Sequence, residues 1–318
     1  MLTARRRAEV EEPVRAGPPA PGVDDGRRAL VAGVAVAVGL ALVLIRGVVG
    51  GRPPAGEDIM AHLVRADFAL PHLAAHLRAD GWLPRFVLGQ QEFLFNGPGL
   101  TWLVGLVRVL TFGALSTTGA LKVVCVVSVA ALPPAVAFLA RSYGLTPPAA
   151  GLAAVLSLLV SSPYGPGLQG LFRVGLVPNQ LGAILFCVAL GGVVRTLDGP
   201  GRRWPAVAAG AAAALLVTHL ISVLILAVFV ALTLAARLGT RRLPGRAAGR
   251  LVAVAAGAAG LAAFWLVPMV VHRHLHGVFT GWDTPPLPDR LADLVAGRIL
   301  VPAGFALLVV GGWVHALV

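Results

Sequence analysis

The chain has 318 residues, of which 57% are hydrophobic and 13% are charged, and its formal net charge is +12. An ordinary soluble domain is about 25% charged, so this composition excludes a soluble globular fold. The positive charge comes from 25 Arg residues and one Lys, which stand mainly in the breaks between apolar runs. No basic stretch is interleaved with aromatic residues, so nucleic acid is excluded as a partner and the charge indicates membrane orientation.

In chain order, residues 1–28 mix Arg with acidic, Pro and Gly residues and show no apolar period, which predicts a disordered cytoplasmic tail. The apolar run Ala29–Val49 follows and is interpreted as a signal anchor. Most later runs are long enough for a helix to cross ~30 Å of hydrocarbon, and all fourteen Asp and Glu residues lie outside them. The later runs cover residues 99–115, 119–140, 146–162, 175–195, 204–237, 251–271 and 298–318.

Two of these runs are ambiguous. Residues 99–115 carry Arg108 in the middle, so we expect them to lie at the membrane interface. Residues 204–237 are long enough for two short helices that meet near Thr218 and His219. If residues 99–115 lie at the interface and residues 204–237 cross the membrane twice, Arg141 and the Arg residues of the segments 195–203 and 237–250 all face the cytoplasm. This agrees with the positive-inside rule.

The sequence therefore predicts an all-α polytopic membrane bundle. Residues 29–318 form the transmembrane domain, with about eight transmembrane helices in a multi-pass cell-membrane protein whose termini both lie in the cytoplasm. Residues 51–115 form a first outer loop with interfacial helices. This topology places the candidate chemistry on the outer face.

The first outer loop contains a polar helical face. Asp58, His62 and Arg65 follow one another at spacings of four and three residues, which places them on one face of a helix. The opposite face carries apolar residues, namely Met60, Leu63, Val64 and Leu70. A carboxylate beside His and Arg suits a general base and a phosphate ligand, although a plain interfacial helix facing lipid headgroups has the same pattern.

Histidines near residue 272 are a second candidate group. His272, His274 and His276 alternate along the chain, and three His side chains are enough to bind a metal ion. Alternate spacing spreads them around a helix axis, so we interpret them as part of a solvated loop. No metal site and no cofactor are identified from the sequence, and a divalent cation is left open.

Several short motifs, in this order and spacing, resemble bacterial membrane proteins named as 6-pyruvoyl-tetrahydropterin synthase-related. These are Gly56-Glu57-Asp58 with His62 and Arg65, Gly81-Trp82-Leu83-Pro84-Arg85, Phe93 to Pro98, Ser162-Pro163-Tyr164, Phe172-Arg173 with Gly175, Thr218-His219-Leu220, and Ala263 to Pro268. That family looks like GT-C glycosyltransferases, which take sugar from a polyprenyl-phosphate donor at the outer face. The chain ends inside an apolar run, so we expect a shortened member.

The resemblance implies site residues. It makes Asp58 and His62 catalytic and Arg65, Arg173 and His219 substrate-binding, with a polyprenyl-phosphate sugar as donor, a cell-envelope glycan or lipid as acceptor, and membrane lipids as further partners. Such enzymes commonly carry a second acid in the loop that holds the residue matching Arg173. Here residues 163–180 contain no Asp or Glu, and Gln180 stands where relatives tend to have Glu.

Three functions follow as hypotheses. The first is a glycosyltransferase or a catalytically weakened relative. A transporter or lipid flippase is the second, but transporters usually carry polar or broken positions near the membrane midplane, and here the ionisable residues cluster at one face. A non-catalytic membrane scaffold is the third. The chain lacks a phosphate-binding loop with Lys, so a nucleotide-sugar donor is disfavoured.

Overall fold

The structure is a computed structural model that describes residues 23–76, 81–84, 90–199, 201, 203–240 and 245–275, together with 286, 288, 289 and 292. Within these residues the fold is an all-α bundle with one small hairpin. The strands are β1 (Gly81–Leu83) and β2 (Gln90–Glu92), which pair antiparallel. The helices are α1 (Val23–Ile45), α2 (Ile59–His76), α3 (Gly99–Leu110), α4 (Thr117–Ser142), α5 (Pro147–Leu156), α6 (Val177–Asp198), α7 (Arg203–Thr218), α8 (Leu220–Gly239), α9 (Ala247–Leu261) and α10 (Ala263–Val271).

Short turns extend or connect these helices. The 3₁₀ turns are Arg46–Val49, Ser157–Leu159 and Arg273–Leu275, and Gly170–Val174 forms one turn of π-helix before α6. Helix α1 begins at Val23, inside the segment predicted to be a disordered tail, because Asp24 and Asp25 in its first turn favour a helix N-terminus. Residues 1–22 lie outside the described part of the chain.

Four helices within the described residues are long and apolar enough to cross a membrane. They cover Asp24–Val49, Thr117–Ser142, Val177–Asp198 and Leu220–Gly239. Helices α9 and α10 meet at a bend of 77° and add a fifth span if the pair is one broken helix. The polytopic bundle is as predicted, but the count is four or five where about eight crossings were expected.

The difference in the count has an identifiable source. Helices α5 and α7 were both expected to cross, but each falls short of the length of a full span. The expected run at residues 298–318 lies outside the described residues. The predicted break in residues 204–237 is present, since α7 ends at Thr218 and α8 begins at Leu220.

Close helix packing depends on small residues. A side chain at Gly33 in α1 would meet the backbone of Gly151 in α5 at 2.8 Å, and one at Gly192 in α6 would meet Ala208 in α7 at 3.1 Å. Small residues that let helix backbones approach closely are typical of membrane bundles. Among the described residues, the hydrophobic core with the most buried residues joins α1, α2, α4 and the π-helical turn. Its members include Ile45, Ile59, Leu121 and Leu171.

Helix α3 lies along one end of the bundle, the end where α4, α6 and α8 begin, which we call the site end. At its N-terminal end, Gly99 lies against Thr218, where α7 gives way to α8. At its C-terminal end, Leu110 is followed closely by Thr117, which begins α4. Twelve residues rise only about 18 Å, too little to cross the hydrocarbon. The placement of α3 at the membrane interface, expected from Arg108, stays a prediction.

Helix α2 packs onto the bundle by a face different from the one expected. Ile59, Leu63 and Ala66 are buried in the core, whereas Met60 is 60% exposed. Each buried residue directly follows Asp58, His62 or Arg65 in sequence, so the apolar and polar faces are adjacent on the helix rather than opposite. The helix also continues through Pro71 to His76.

The predicted topology is testable by cysteine labelling. In a background with Cys125→Ala and Cys187→Ala, we expect Tyr164→Cys to react with an impermeant thiol reagent on intact cells, because Tyr164 is exposed at the site end. Arg203→Cys, at the start of α7, should react only after permeabilisation. Labelling of Arg203→Cys in intact cells would overturn the assignment of faces.

Candidate functional site

The candidate site is built where the start of α2 meets the π-helical turn before α6. The backbone N–H of Asp58 donates to the carbonyl oxygen of Val174 at 2.7 Å, and His62 Nε2 lies 3.0 Å from the carbonyl oxygen of Gly175. A carbonyl oxygen only accepts, so His62 donates from Nε2 and the neutral ring presents Nδ1 as an acceptor. Two segments far apart in sequence are therefore joined beside Asp58 and Arg173.

This contact requires glycine on both sides. Gly175 has φ +92°, in the left-handed region, and a Cβ there would stand 3.0 Å from the backbone nitrogen of Ile59. A Cβ at Gly56, which has φ +138°, would lie 2.7 Å from the Cα of Gly175. Only residues without a side chain let the two backbones approach so closely.

We expect Gly175→Ala to lower the free energy of unfolding by at least about 1–2 kcal/mol, because Ala is strained at this φ and its methyl group meets the α2 backbone. Thermal unfolding of the purified protein in detergent measures the change. Gly210→Ala in α7 is the matched control, since a Cβ there meets nothing within 4 Å, and it should be neutral or slightly stabilising. Equal unfolding midpoints for the two variants would contradict the packing argument.

A buried ion pair stands behind the polar face of α2. Arg65 Nε lies 3.1 Å from Glu92 Oε1, and the Glu92 side chain is 0% exposed while that of Arg65 is 21% exposed. The amide of Asn96 also donates toward Glu92 Oε1, at 3.5 Å. The pair therefore places a second carboxylate in the same cluster as Asp58.

Sequence reasoning did not assign a role to Glu92. The stretch of Gln, Glu and aromatic residues before α3 was noticeable, but nothing in it showed that Glu92 is buried. Glu92 ends β2, and the next residue, Phe93, has φ +60° and accepts a hydrogen bond through its carbonyl from the indole of Trp265 at 3.0 Å. The hairpin and this anchor bring Glu92 inward, beneath α2.

Burial tunes the histidine of the cluster. The pKa of His62 lies below its usual value, first because the ring is buried and also because Arg65 is nearby, while the Gly175 carbonyl and the charges of Asp58 and Glu92 oppose the shift. A lowered pKa keeps the imidazole neutral at physiological pH. His62 can then accept a proton through Nδ1. The charged groups that act on it are Arg65, Asp58 and Glu92.

Asp58 and Arg173 are the exposed members of the group. They stand close to a cleft of about 570 Å³ between the end of α1, the segment 47–55 and Phe172 of the π-helical turn. Leu44, Val48 and Phe172 give the walls an apolar part, and Arg52 also lines the cleft. Lys122 of α4 donates to the carbonyl of Gly50 on the same segment. A partly apolar space with cations at its edge suits an amphiphile with an anionic head.

Gln180, which stands where relatives tend to have Glu, has a structural role. Its side chain is 1% exposed, Oε1 accepts from the N–H of Gly167 at 2.7 Å, and Nε2 donates to the carbonyl of Ser128 at 3.3 Å. The amide supplies one acceptor and one donor, whereas an ionised Glu could not donate. Gln180 thereby ties the loop before the π-helical turn to α4.

His219 lies apart from the other candidates. Its Nδ1 is 2.6 Å from Ser222 Oγ in the first turn of α8, and its ring packs near Gly182 of α6. Among the described residues, its hydrogen bond is to Ser222 and not to Asp58 or His62. The structure brings together Asp58, His62, Arg65 and the turn that carries Arg173, and it places His219 on the neighbouring helix pair.

Within the described ranges, no group of three or more His, Cys, Asp or Glu side chains is arranged to hold a metal ion. His272 and His274 have ring centroids 6.4 Å apart, and His272 Nδ1 bonds to the carbonyl of Pro268 in the preceding turn. His276 lies outside the described residues.

Comparison with known proteins gives one structural similarity. No protein-family model matches the chain, and no curated protein matches it. The chain is similar to the crystal structure of the Archaeoglobus fulgidus oligosaccharyltransferase in the apo form, with a TM-score of 0.48 and 14% sequence identity. The similarity covers 84% of this chain and 36% of that chain, so the chain spans about a third of the length of that protein.

Proposed function

We propose that this chain is an integral membrane glycosyltransferase-like protein that uses a polyprenyl-phosphate-linked sugar at the extracytoplasmic face of the cell membrane. The observation that carries the proposal is the hydrogen bond from Asp58 N–H to the Val174 carbonyl. It holds an exposed carboxylate next to the turn that presents Arg173, close to a partly apolar cleft. A lipid-linked sugar phosphate needs these three features together.

The cleft suits the lipid part of such a donor. The apolar part of its walls begins at the end of α1, a helix with the length and hydropathy of a membrane span, so an isoprenoid chain reaches it from the bilayer. Positive charge near the cleft comes from Arg52 in its wall, from Lys122, which donates to Gly50, and from Arg173, which follows Phe172. Guanidinium groups bind phosphate oxygens in a bidentate manner, which favours a phosphate head at this position.

The proposed reaction assigns a role to each residue. Asp58 accepts the proton of the acceptor hydroxyl as that oxygen bonds to the anomeric carbon, and the bond from the anomeric carbon to the donor phosphate breaks. The leaving polyprenyl phosphate takes the electron pair and is stabilised by Arg173 and Arg65. Glu92 orients Arg65, and neutral His62 accepts a hydrogen bond from the acceptor. His219, on the α7–α8 corner, is kept as a substrate-binding residue that contacts the acceptor.

The partners follow from this chemistry. The donor is a polyprenyl-phosphate sugar, and the acceptor is a cell-envelope glycan or lipid that approaches from outside. The proposed transfer of the sugar involves no redox change. A divalent cation remains open as a cofactor, with Asp58 the exposed carboxylate that would contact it.

A transfer assay tests the proposal. Wild-type protein in proteoliposomes should transfer labelled sugar from a polyprenyl-phosphate donor, and Arg173→Ala should raise the KM for the donor about tenfold or more with a smaller effect on kcat. Arg273→Ala, which removes another exposed Arg, is the matched control and should leave KM unchanged. Absence of both transfer and donor binding in the wild type would contradict the proposal and favour a scaffold. Movement of the lipid donor across the bilayer without transfer would favour a flippase.

A further inference from the structure

A second group of charged side chains lies at the other end of the bundle, which we call the far end. Helices α4 and α6 both start at the site end, where Asp67 of α2 bonds to Thr117 and Gly175 bonds to His62. Twenty-two residues of α6 rise about 33 Å, so its last turn lies a full membrane thickness away. Arg195 stands in this last turn, beside the end of α4 and the beginning of α7.

Neighbouring side chains hold the guanidinium of Arg195 in a fixed position. Its Nε donates to Ser142 Oγ at 2.9 Å, and its central carbon lies 4.8 Å from the ring centroid of Phe138 and 4.5 Å from that of Trp204. Gly191 makes room for this arrangement, since a Cβ there would stand 2.6 Å from the Phe138 ring. Aromatic faces and one hydroxyl thus fix the plane of the cation.

Among the described residues, neither Nη atom of Arg195 makes a hydrogen bond or an ion pair, so its bidentate edge is open. Arg203 lies over the same Trp204 ring at 4.7 Å, and Arg141 is next to Ser142 in sequence. The nearby carboxylate of Asp198 is occupied by Arg237 Nη1 at 2.6 Å. Among the described residues at this end, the Arg side chains therefore outnumber the one nearby carboxylate, that of Asp198.

We propose that Arg195, Arg203, Arg141 and Trp204 form a binding site for the phosphate of an anionic phospholipid headgroup. The fork of Arg195 matches two phosphate oxygens, which is the geometry that makes Arg-phosphate pairs strong. The site lies at the ends of membrane-spanning helices, where lipid phosphates are found, and Trp is favoured at that depth. Zwitterionic lipids also carry phosphate, but their ammonium group is repelled by three cations.

This site is independent of the proposed function. It lies at the far end of the bundle and shares no residue with the cluster around Asp58, so either proposal can fail alone. It contributes an anchor that fixes the ends of α4, α6 and α7 relative to the lipid surface.

Native mass spectrometry of the detergent-solubilised protein tests the site. We expect phosphatidylglycerol to bind more tightly than phosphatidylcholine, and Arg195→Gln to weaken phosphatidylglycerol binding about tenfold or more. Arg203→Gln, on the surface, should weaken it by a smaller factor. Arg246→Gln, which removes one exposed charge from the start of α9, is the matched control and should bind like the wild type.

Two further measurements separate the outcomes. Phosphatidylglycerol should raise the unfolding midpoint of the wild type and not that of Arg195→Gln, which distinguishes a lost site from a misfolded variant. Inorganic phosphate and glycerol phosphate should compete only weakly, because they lack the acyl chains. Equal losses in Arg195→Gln and Arg246→Gln, equal binding of the two lipids, or binding of free phosphate as tight as that of lipid would each overturn the proposal.

Discussion

Asp58→Asn is expected to lower the rate of glycosyl transfer by about 100-fold or more while the protein still folds. The substitution keeps the size of the side chain and removes only its ability to take a proton. The structural contact at this position comes from the backbone N–H, which donates to Val174 in both forms. The side chain is exposed and forms no ion pair with any described residue, so its replacement removes none. Initial rates with a labelled polyprenyl-phosphate sugar measure the effect.

The neighbouring acid supplies the control for this prediction. Glu57 is exposed and precedes the same helix, so Glu57→Gln removes an equal charge from the same loop. We expect it to retain most of the wild-type rate and the same unfolding midpoint. A fully active Asp58→Asn protein, or equal losses in both variants, would show that Asp58 is not the proton acceptor.

Glu92→Gln should destabilise the fold more than the loss of any surface ion pair. Glu92 is fully buried and paired with Arg65, so neutralising it removes a counter-charge from beside a largely buried guanidinium. Breaking a buried pair in this way typically costs about 3–5 kcal/mol. We expect the unfolding midpoint in detergent to fall by about 5 °C or more, with a loss of transfer activity because Arg65 is no longer oriented.

The pair between Asp198 and Arg237 at the far end is the matched control. The Asp198 side chain is 53% exposed and that of Arg237 is 18% exposed, so Asp198→Asn should cost less than Glu92→Gln, which alters a fully buried carboxylate. The double variant Arg65→Met with Glu92→Leu removes both charges and should recover stability relative to Glu92→Gln, without recovering transfer. If the free energy of unfolding lost in the double variant equals the sum of the losses in Arg65→Met and Glu92→Leu, the two side chains are not coupled in the folded protein.

Local patterns were sufficient to predict much of the fold. The length and hydropathy of the apolar runs predicted a polytopic helical bundle. The length of the 204–237 run and the placement of the Arg residues together favoured the break that the structure has at His219. The spacing of Asp58, His62 and Arg65 also predicted a shared helical face. These inferences succeed because a helix satisfies its own backbone and its period is visible in a short stretch of sequence. Run length was a poorer guide to the number of full spans, since α5 and α7 end early.

Contacts between distant segments were decided only by tertiary packing. The bond between His62 and Gly175 joins residues 113 positions apart, and it depends on two glycines whose close approach no local pattern reveals. No pattern in the sequence was a reason to assign Glu92 to the site, yet the hairpin and Trp265 turn it inward to pair with Arg65. Gln180 proved to be a buried hydrogen-bonding residue, because an amide can donate and accept where the loop and α4 require both. Burial and partner choice depend on which surfaces meet, and that is a property of the whole packed chain.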